Sequence, residues 1–176
     1  SENAVFVFEA MLWQAGADLD SLTSPGALQA MNHLVDLVKK GQLSSESLNW
    51  DLRDGVSQLV NGRSAMAFQG TWDLNFVRDN MKAQWDVALL PAGPVKQASN
   101  LGGENWSITS TTPHFEEAWQ FVEFVSDVER LTPDLVASGQ LPSRADIAAP
   151  EFKVHPLDTA VEQLAVWGER NQVPVI

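Results

Sequence analysis

Apolar residues recur at every third or fourth position through much of this chain, and the pattern predicts helices. Val5 to Gln14 mixes Phe6, Met11 and Trp13 with Val and Ala, and Gly16 ends it. The next helix has both ends marked. Ser24 suits the N-cap, Pro25 the first helical position, and Gly41 follows Lys39 and Lys40 just past the C-cap. Between these ends Leu28, Met31, Val35 and Val38 form one apolar face. Leu43 to Trp50 predicts a loop that becomes a short turn. Asp54 to Val60 predicts a short helix with Val56, Leu59 and Val60 inward, stopped by Asn61-Gly62. Trp72 to Met81 is also helical in pattern. Pro113 to Ser126 is amphipathic, with Phe115, Ala118, Trp119, Val122 and Val125 on or near one face. Asp127 to Ser138 predicts a helix interrupted near Pro133, and Pro156 to Arg170 a last one.

Three short apolar runs predict strands: Ala65 to Phe68, Trp85 to Leu90 and Trp106 to Thr109. The small residues of the first imply close packing against a helix. Pro91 to Asn100 predicts an exposed Gly/Pro loop, and Gly139 with Pro142 a turn. Strands alternating with helices predict an α/β fold, helix-rich with a small central sheet.

Composition narrows the classes. A chain of 176 residues, 44% of them hydrophobic, fits one domain with a core, here residues 1–176. No apolar run approaches the roughly 18 residues that a membrane span needs. The net charge of −12, with only 11 Lys and Arg, repels nucleic-acid phosphates and anionic membranes. Cysteine is absent, which removes disulfides, thiolate catalysis and zinc-thiolate sites. Seven Trp and no Tyr predict a core rich in large rings, with one or two rings left for a ligand face. The chain shows no basic segment followed by an apolar one, so no signal peptide is read. With its start at Ser1-Glu-Asn-Ala, this leads us to expect a fragment of a longer protein.

Three constellations carry chemistry. In Gly70-Thr71-Trp72 the glycine lets backbone approach closely, and the Trp at a helix start sets an apolar ring beside exposed N–H groups. That pairing suits the C–H face and the hydroxyls of a pyranose; on the residues alone, Trp72 reads more readily as a core plug. In Gly102-Gly103-Glu104-Asn105 two glycines expose backbone N–H groups, a carboxylate accepts from hydroxyls, and a carboxamide donates and accepts. An ordinary turn into a strand is the alternative there. In Leu141-Pro142-Ser143-Arg144 a rigid turn carries a planar fork of five donors, which on an isolated Arg would simply face solvent.

The motifs Asn61 to Leu74 (NGRSAMAFQGTWDL), Leu101 to Ile108 (LGGENWSI) and Leu141 to Arg144 (LPSR), in this order, resemble the carboxyl-terminal lobe of an extracellular solute-binding protein. The family is the sugar-type, maltose-binding-protein-like one that serves ABC importers. The resemblance implies a periplasmic-binding-protein-like lobe whose amino-terminal partner lobe is absent from this chain. It implies a sugar or related polar solute held in an interlobe cleft and delivered to a membrane permease. Trp72 would stack on the sugar, Gly70 would permit its approach, the Gly102 and Gly103 amides would line the cleft, and Glu104, Asn105 and Arg144 would make polar contacts. Trp13, near the end of the first helix with Gln14 and Asp18, is a further ligand candidate. Trp106, Trp50, Trp85, Trp119 and Trp167 are expected in the core or at its edge. The implied protein is monomeric, lies in the periplasm or outside the cell with a possible lipid anchor, and uses no cofactor or metal.

Two alternatives stand beside this reading. One is a carbohydrate-active enzyme using Glu104 with a partner such as Asp73, about 5–9.5 Å apart. The other is a sensor or interaction domain docking on a protein. His33, His114 and His155 lie in unrelated contexts, and Ser64 and Ser107 lack a nucleophile elbow.

Overall fold

The helix with both ends marked in the sequence is met by physical caps at both ends. In the computed structural model, α1 spans Asn3–Gln14, α2 Pro25–Lys39, α3 Asp54–Val60, α4 Leu74–Asn80, α5 Phe115–Val125 and α6 Val128–Ser138. Residues 3–51, 53–100, 102–103, 105–143, 147 and 149–163 are described. Residues 157–163 are helical too, and the rest of the predicted Pro156 to Arg170 helix, with Trp167, lies outside the described residues. Ser24 accepts from the Ala27 N–H and caps α2. Asp127 accepts from the Arg130 N–H and caps α6. Gly16, Gly41, Gly62 and Gly139 all follow helices with positive φ. Helix α6 runs through Pro133 without the predicted interruption.

The core is built from small residues. Leu12 of α1 packs with Ala17 and Ala27, and Phe8 lies against them. At the crossing a Cβ on Gly26 would stand 2.5 Å from the Ala15 carbonyl oxygen, so α2 begins where only a glycine fits. This close approach corrects the predicted face of α2. Ala27 and Ala30 are buried and Leu34 and Leu37 half-buried, one position round from the expected stripe. Leu28, Met31 and Val35 are exposed. Helix α3 also meets α4, and each buries one valine, Val56 and Val77. Fully burying a side chain such as Leu12 or Val56 contributes about 1.5–3 kcal/mol.

The predicted strands are the main difference. Residues 65–68, 85–90 and 106–109 are not assigned to strands, and no strand occurs among the described residues. Met66 is 87% exposed, and Ala65, Ala67 and Phe68 are exposed as well, so this run does not pack against a helix as expected. Alternating or continuous apolar residues favour a strand only when a neighbouring strand takes their backbone groups. The expected abundance of buried rings is also corrected. No Trp is buried among the described residues: Trp50 and Trp85 are half-buried, and Trp106 and Trp119 are exposed. Trp106 makes an edge-on contact with Phe121, ring centres 5.3 Å apart, on the exposed side of α5.

Candidate functional site

Gly70 has ordinary extended backbone, φ −87° and ψ 167°, so a left-handed conformation is not its reason for being glycine. The reason is space. A Cβ at position 70 would stand 2.2 Å from Cη2 and Cζ3 of Trp72, whose ring folds back over the glycine. Thr71–Asp73 forms a single 3-10 turn that leads into α4. Trp72 is 41% exposed at this entrance, its six-membered ring lying against the glycine. A ring so exposed is not a core plug.

The end of α6 is pressed onto the same turn. Gly139 is buried with φ +72°, and a Cβ there would stand 2.7 Å from the Thr71 carbonyl oxygen. Asn75 Nδ2 donates to the Ala137 carbonyl at 2.5 Å. Two motifs that lie far apart in the chain, Gly-Thr-Trp and the turn leading to Leu-Pro-Ser, are therefore neighbours. Arg144 itself lies outside the described residues, as does Glu104.

The Gly-Gly loop and Trp13 occupy the two ends of α1. Gly102 sits over Phe6, a Cβ there falling 3.4 Å from its ring, while Gly103 has open space around it. Gly102, Gly103 and Asn105 are all exposed. Trp13 is half-buried, and its indole N–H donates to Asp18 Oδ1 at 3.1 Å. With Phe6 and Trp13 about 10 Å apart along the helix axis, the two ligand candidates do not share the same end. Asp18 caps the following turn and is held below the usual carboxylate range, first by the Trp13 indole and then by the Leu19 N–H. Trp13 thus has a local structural partner.

The loop expected to be exposed, 91–100, is half anchored instead. The Gln14 carbonyl accepts from the Val95 and Lys96 N–H groups, and Gln14 Nε2 donates to the Ala98 carbonyl at 2.8 Å. Ala98 and Ser99 are buried. Gln14 sets the path of the chain into Gly102-Gly103.

Asp73 carries more weight than its place in the sequence indicated. It is 1% exposed, directly after Trp72. Arg53 Nη1 lies 3.4 Å from its Oδ1. Burial pushes its pKa upward, against the pull of the Arg53 guanidinium and the Trp72 indole N–H. A buried carboxylate behind the ring cannot reach a glycosidic bond, which removes Asp73 as half of an enzymatic pair. A signal was available in the sequence: an acidic residue at the start of a helix otherwise carrying Leu74, Phe76 and Val77 inward. Arg53 gave none. Among the described residues no cluster of His, Asp and Glu is arranged to hold a metal ion.

Residues 1–159 match the family model described as bacterial extracellular solute-binding protein. The fold is similar to that of the maltose-bound MalE3 of T. maritima, with a TM-score of 0.79 and 27% identity over 94% of this chain. The chain spans 46% of the length of that protein. The likeness bears out the expected periplasmic-binding-protein-like lobe, with the small sheet unformed among the described residues.

Proposed function

Because the chain belongs to the bacterial extracellular solute-binding proteins, we propose that it forms one lobe of a sugar-binding cleft serving an ABC importer. The observation that carries this reading is the half-exposed Trp72 ring laid on Gly70 at the mouth of a helix, in a fold similar to a maltose-bound protein. An apolar ring face beside polar backbone matches the two faces of a pyranose. The family is one of binding proteins, not enzymes, and the buried Asp73 offers no accessible acid or base for hydrolysis.

In this reading Trp72 stacks on the sugar, and the open Gly103 and neighbouring Gly102 present backbone N–H groups. Asn105 adds a donor and an acceptor. Glu104 and Arg144 join them on resemblance alone. Trp13, tied to Asp18, supports the lobe from the side. The second lobe of the same protein closes over the ligand like a hinged clamp, and the closed form docks on the permease. The protein works as a monomer outside the cytoplasmic membrane, free or lipid-anchored.

Calorimetric titration of the full-length protein with maltose and a sugar and polyol panel tests this. The expected result is saturable binding of at least one sugar, weakened at least about tenfold by Trp72→Ala, as for a well-placed aromatic anchor. Binding of no sugar, or equal binding by Trp72→Ala, would overturn it.

A further inference from the structure

We propose that Arg53 is a further ligand-contacting residue of the Trp72 site, donating to neighbouring hydroxyls of an uncharged sugar; the inference rests on the sugar-binding reading above. Arg53 is the N-cap residue of α3. A Cβ built on Gly55, two residues on, would lie 3.7 Å from the Gln69 side-chain amide, so the start of α3 abuts the residue before Gly70. The guanidinium reaches on to Asp73, with Nη1 3.4 Å from Oδ1. It also lies over the Phe76 ring, 4.6 Å from its centre. Phe76 follows Trp72 by four residues, through the 3-10 turn into α4, and side chains at that spacing are neighbours on one helical face. The guanidinium is therefore held about one helical turn from Trp72.

Much of its donor capacity is unspent. Phe76 covers one face, and Asp73 draws on one nitrogen. The hydrogen bonds of Arg53 are made by its backbone instead, whose N–H donates to Asp51 Oδ1 and whose carbonyl accepts from the Ser57 hydroxyl. The side chain remains 51% exposed. Most of the five N–H donors of the planar fork thus have no partner among the described residues.

The carboxylate behind the fork sets what it can serve. Asp73 is 1% exposed, and neither of its oxygens makes a hydrogen bond of ordinary geometry. A buried carboxylate needs a compensating charge, and Arg53 provides it. The pair as a whole presents donors with little net charge. An anionic solute would compete with Asp73 for the same cation, whereas hydroxyls need only the donors. A planar fork spans two adjacent acceptors, the arrangement of vicinal hydroxyls on a sugar ring. A counter-ion role alone would ask for no more than a positive charge, which Lys also supplies.

The test is calorimetric titration of the full-length protein with maltose, or with the tightest-binding sugar of the panel above where maltose does not bind, and with glucose 1-phosphate. It compares the parent, Arg53→Lys and the double variant Arg53→Gln/Asp73→Asn, each with its thermal midpoint. The parent should prefer the neutral sugar. Arg53→Lys keeps a charge beside Asp73 and should fold as the parent does, while sugar affinity falls about fivefold to tenfold for loss of the paired donors. The double variant replaces the ion pair by neutral amides and serves if Arg53→Lys does not fold; its affinity should be equally low. Parent-level sugar affinity in either folded variant would mark Arg53 as a counter-ion only and overturns the proposal. Tighter binding of glucose 1-phosphate by the parent overturns the choice of an uncharged ligand. If the parent binds no sugar, the sugar-binding reading fails and the proposal falls with it; sugar binding by the parent with no loss in the variants overturns the proposal alone.

Discussion

The Trp72 indole occupies the place where a side chain on residue 70 would begin, 2.2 Å from a Cβ built on Gly70. Because the backbone of Gly70 is extended and open to any residue, Gly70→Ala separates two effects. The ring is half-exposed and can swing aside, so stability should fall by no more than about 1 kcal/mol in urea unfolding. Sugar affinity should fall nearly as far as in Trp72→Ala. Equal affinity in Gly70→Ala and the parent would mean that the ring position seen here is not the one that matters.

Gly139 is under a different constraint. Its φ is +72°, and a Cβ would stand 2.7 Å from the Thr71 carbonyl oxygen, which is backbone and cannot move aside cheaply. Gly62 has φ +69° with nothing within 4 Å. Gly62→Ala should cost about 1 kcal/mol from conformation alone, and Gly139→Ala at least twice that, read by chemical denaturation. Equal costs would show that α6 does not press on the Gly-Thr-Trp turn.

Much of the helical frame was legible because its signals are local. Ser24 and Gly41 bracket α2 through bonds made within a few residues, and Asn61-Gly62 stops α3 in the same way. What was not legible depended on distant partners. The stripe Leu28, Met31 and Val35 is the more hydrophobic one on α2, yet Ala27 and Ala30 face inward because Gly26 lets α2 lie against Ala15. The three predicted strands are not seen among the described residues, and a strand needs a neighbour that composition does not name. At the site, Gly70, Trp72 and the turn at Gly139 could be named from the chain. Their convergence, and the Arg53–Asp73 pair behind them, required the fold.

Acid should affect Asp73 in the opposite sense to Asp18 and Asp86. Its folded pKa is raised by burial above the ordinary 3.8. The folded state therefore holds the proton more tightly than the unfolded one. The associated stability is fully present below the unfolded value and is lost as pH rises through the raised one. Asp18 and Asp86 are lowered, Asp86 first by the Val87 N–H and then by His155. Their contribution is present above 3.8 and lost as pH falls through their folded values. Asp73→Asn should thus remove a term that favours the fold on acidification. In denaturation series across the acid range, the variant should lose stability more steeply than the parent as pH falls from just above the raised value. Parallel curves would show that Asp73 does not titrate in the folded protein.

His155 ties two segments that the sequence left unconnected. Its Nε2 meets Asp86 Oδ1 at 2.5 Å, and its Nδ1 lies 3.3 Å from Asp158 and 3.2 Å from the Thr159 hydroxyl. Leu90 N–H donates to Gln163 nearby. The contact is exposed, so its effect should be local. Hydrogen exchange should show Asp86→Asn speeding exchange about threefold to tenfold at Val87 and residues 157–160, with α1 and α2 unchanged, as for opening of one low-stability segment. No change at 157–160 would mean that the contact does not hold that helix in place.

Gln14 links the first helix to the cleft through the loop that follows. Its backbone carbonyl takes the Val95 and Lys96 N–H groups, and its side chain alone reaches the Ala98 carbonyl, in a region where Ala98 and Ser99 are buried. A Cβ on Gly93 would stand 2.4 Å from Gln14 Cβ, so loop and helix are in contact on two sides. Gln14→Ala keeps the backbone bonds and removes only the one to Ala98, leaving a buried acceptor unpaired. The expected cost is about 1–2 kcal/mol. Because Gly102 and Gly103 follow within a few residues, the same change should loosen the amides proposed to face the sugar. Affinity should then fall through a faster off-rate with little change in on-rate, since the cleft stays open to ligand but its bound geometry is held less firmly. Stopped-flow measurement with maltose separates the two rates. A lower stability with both rates intact would show that the Gly-Gly loop keeps its position without Gln14.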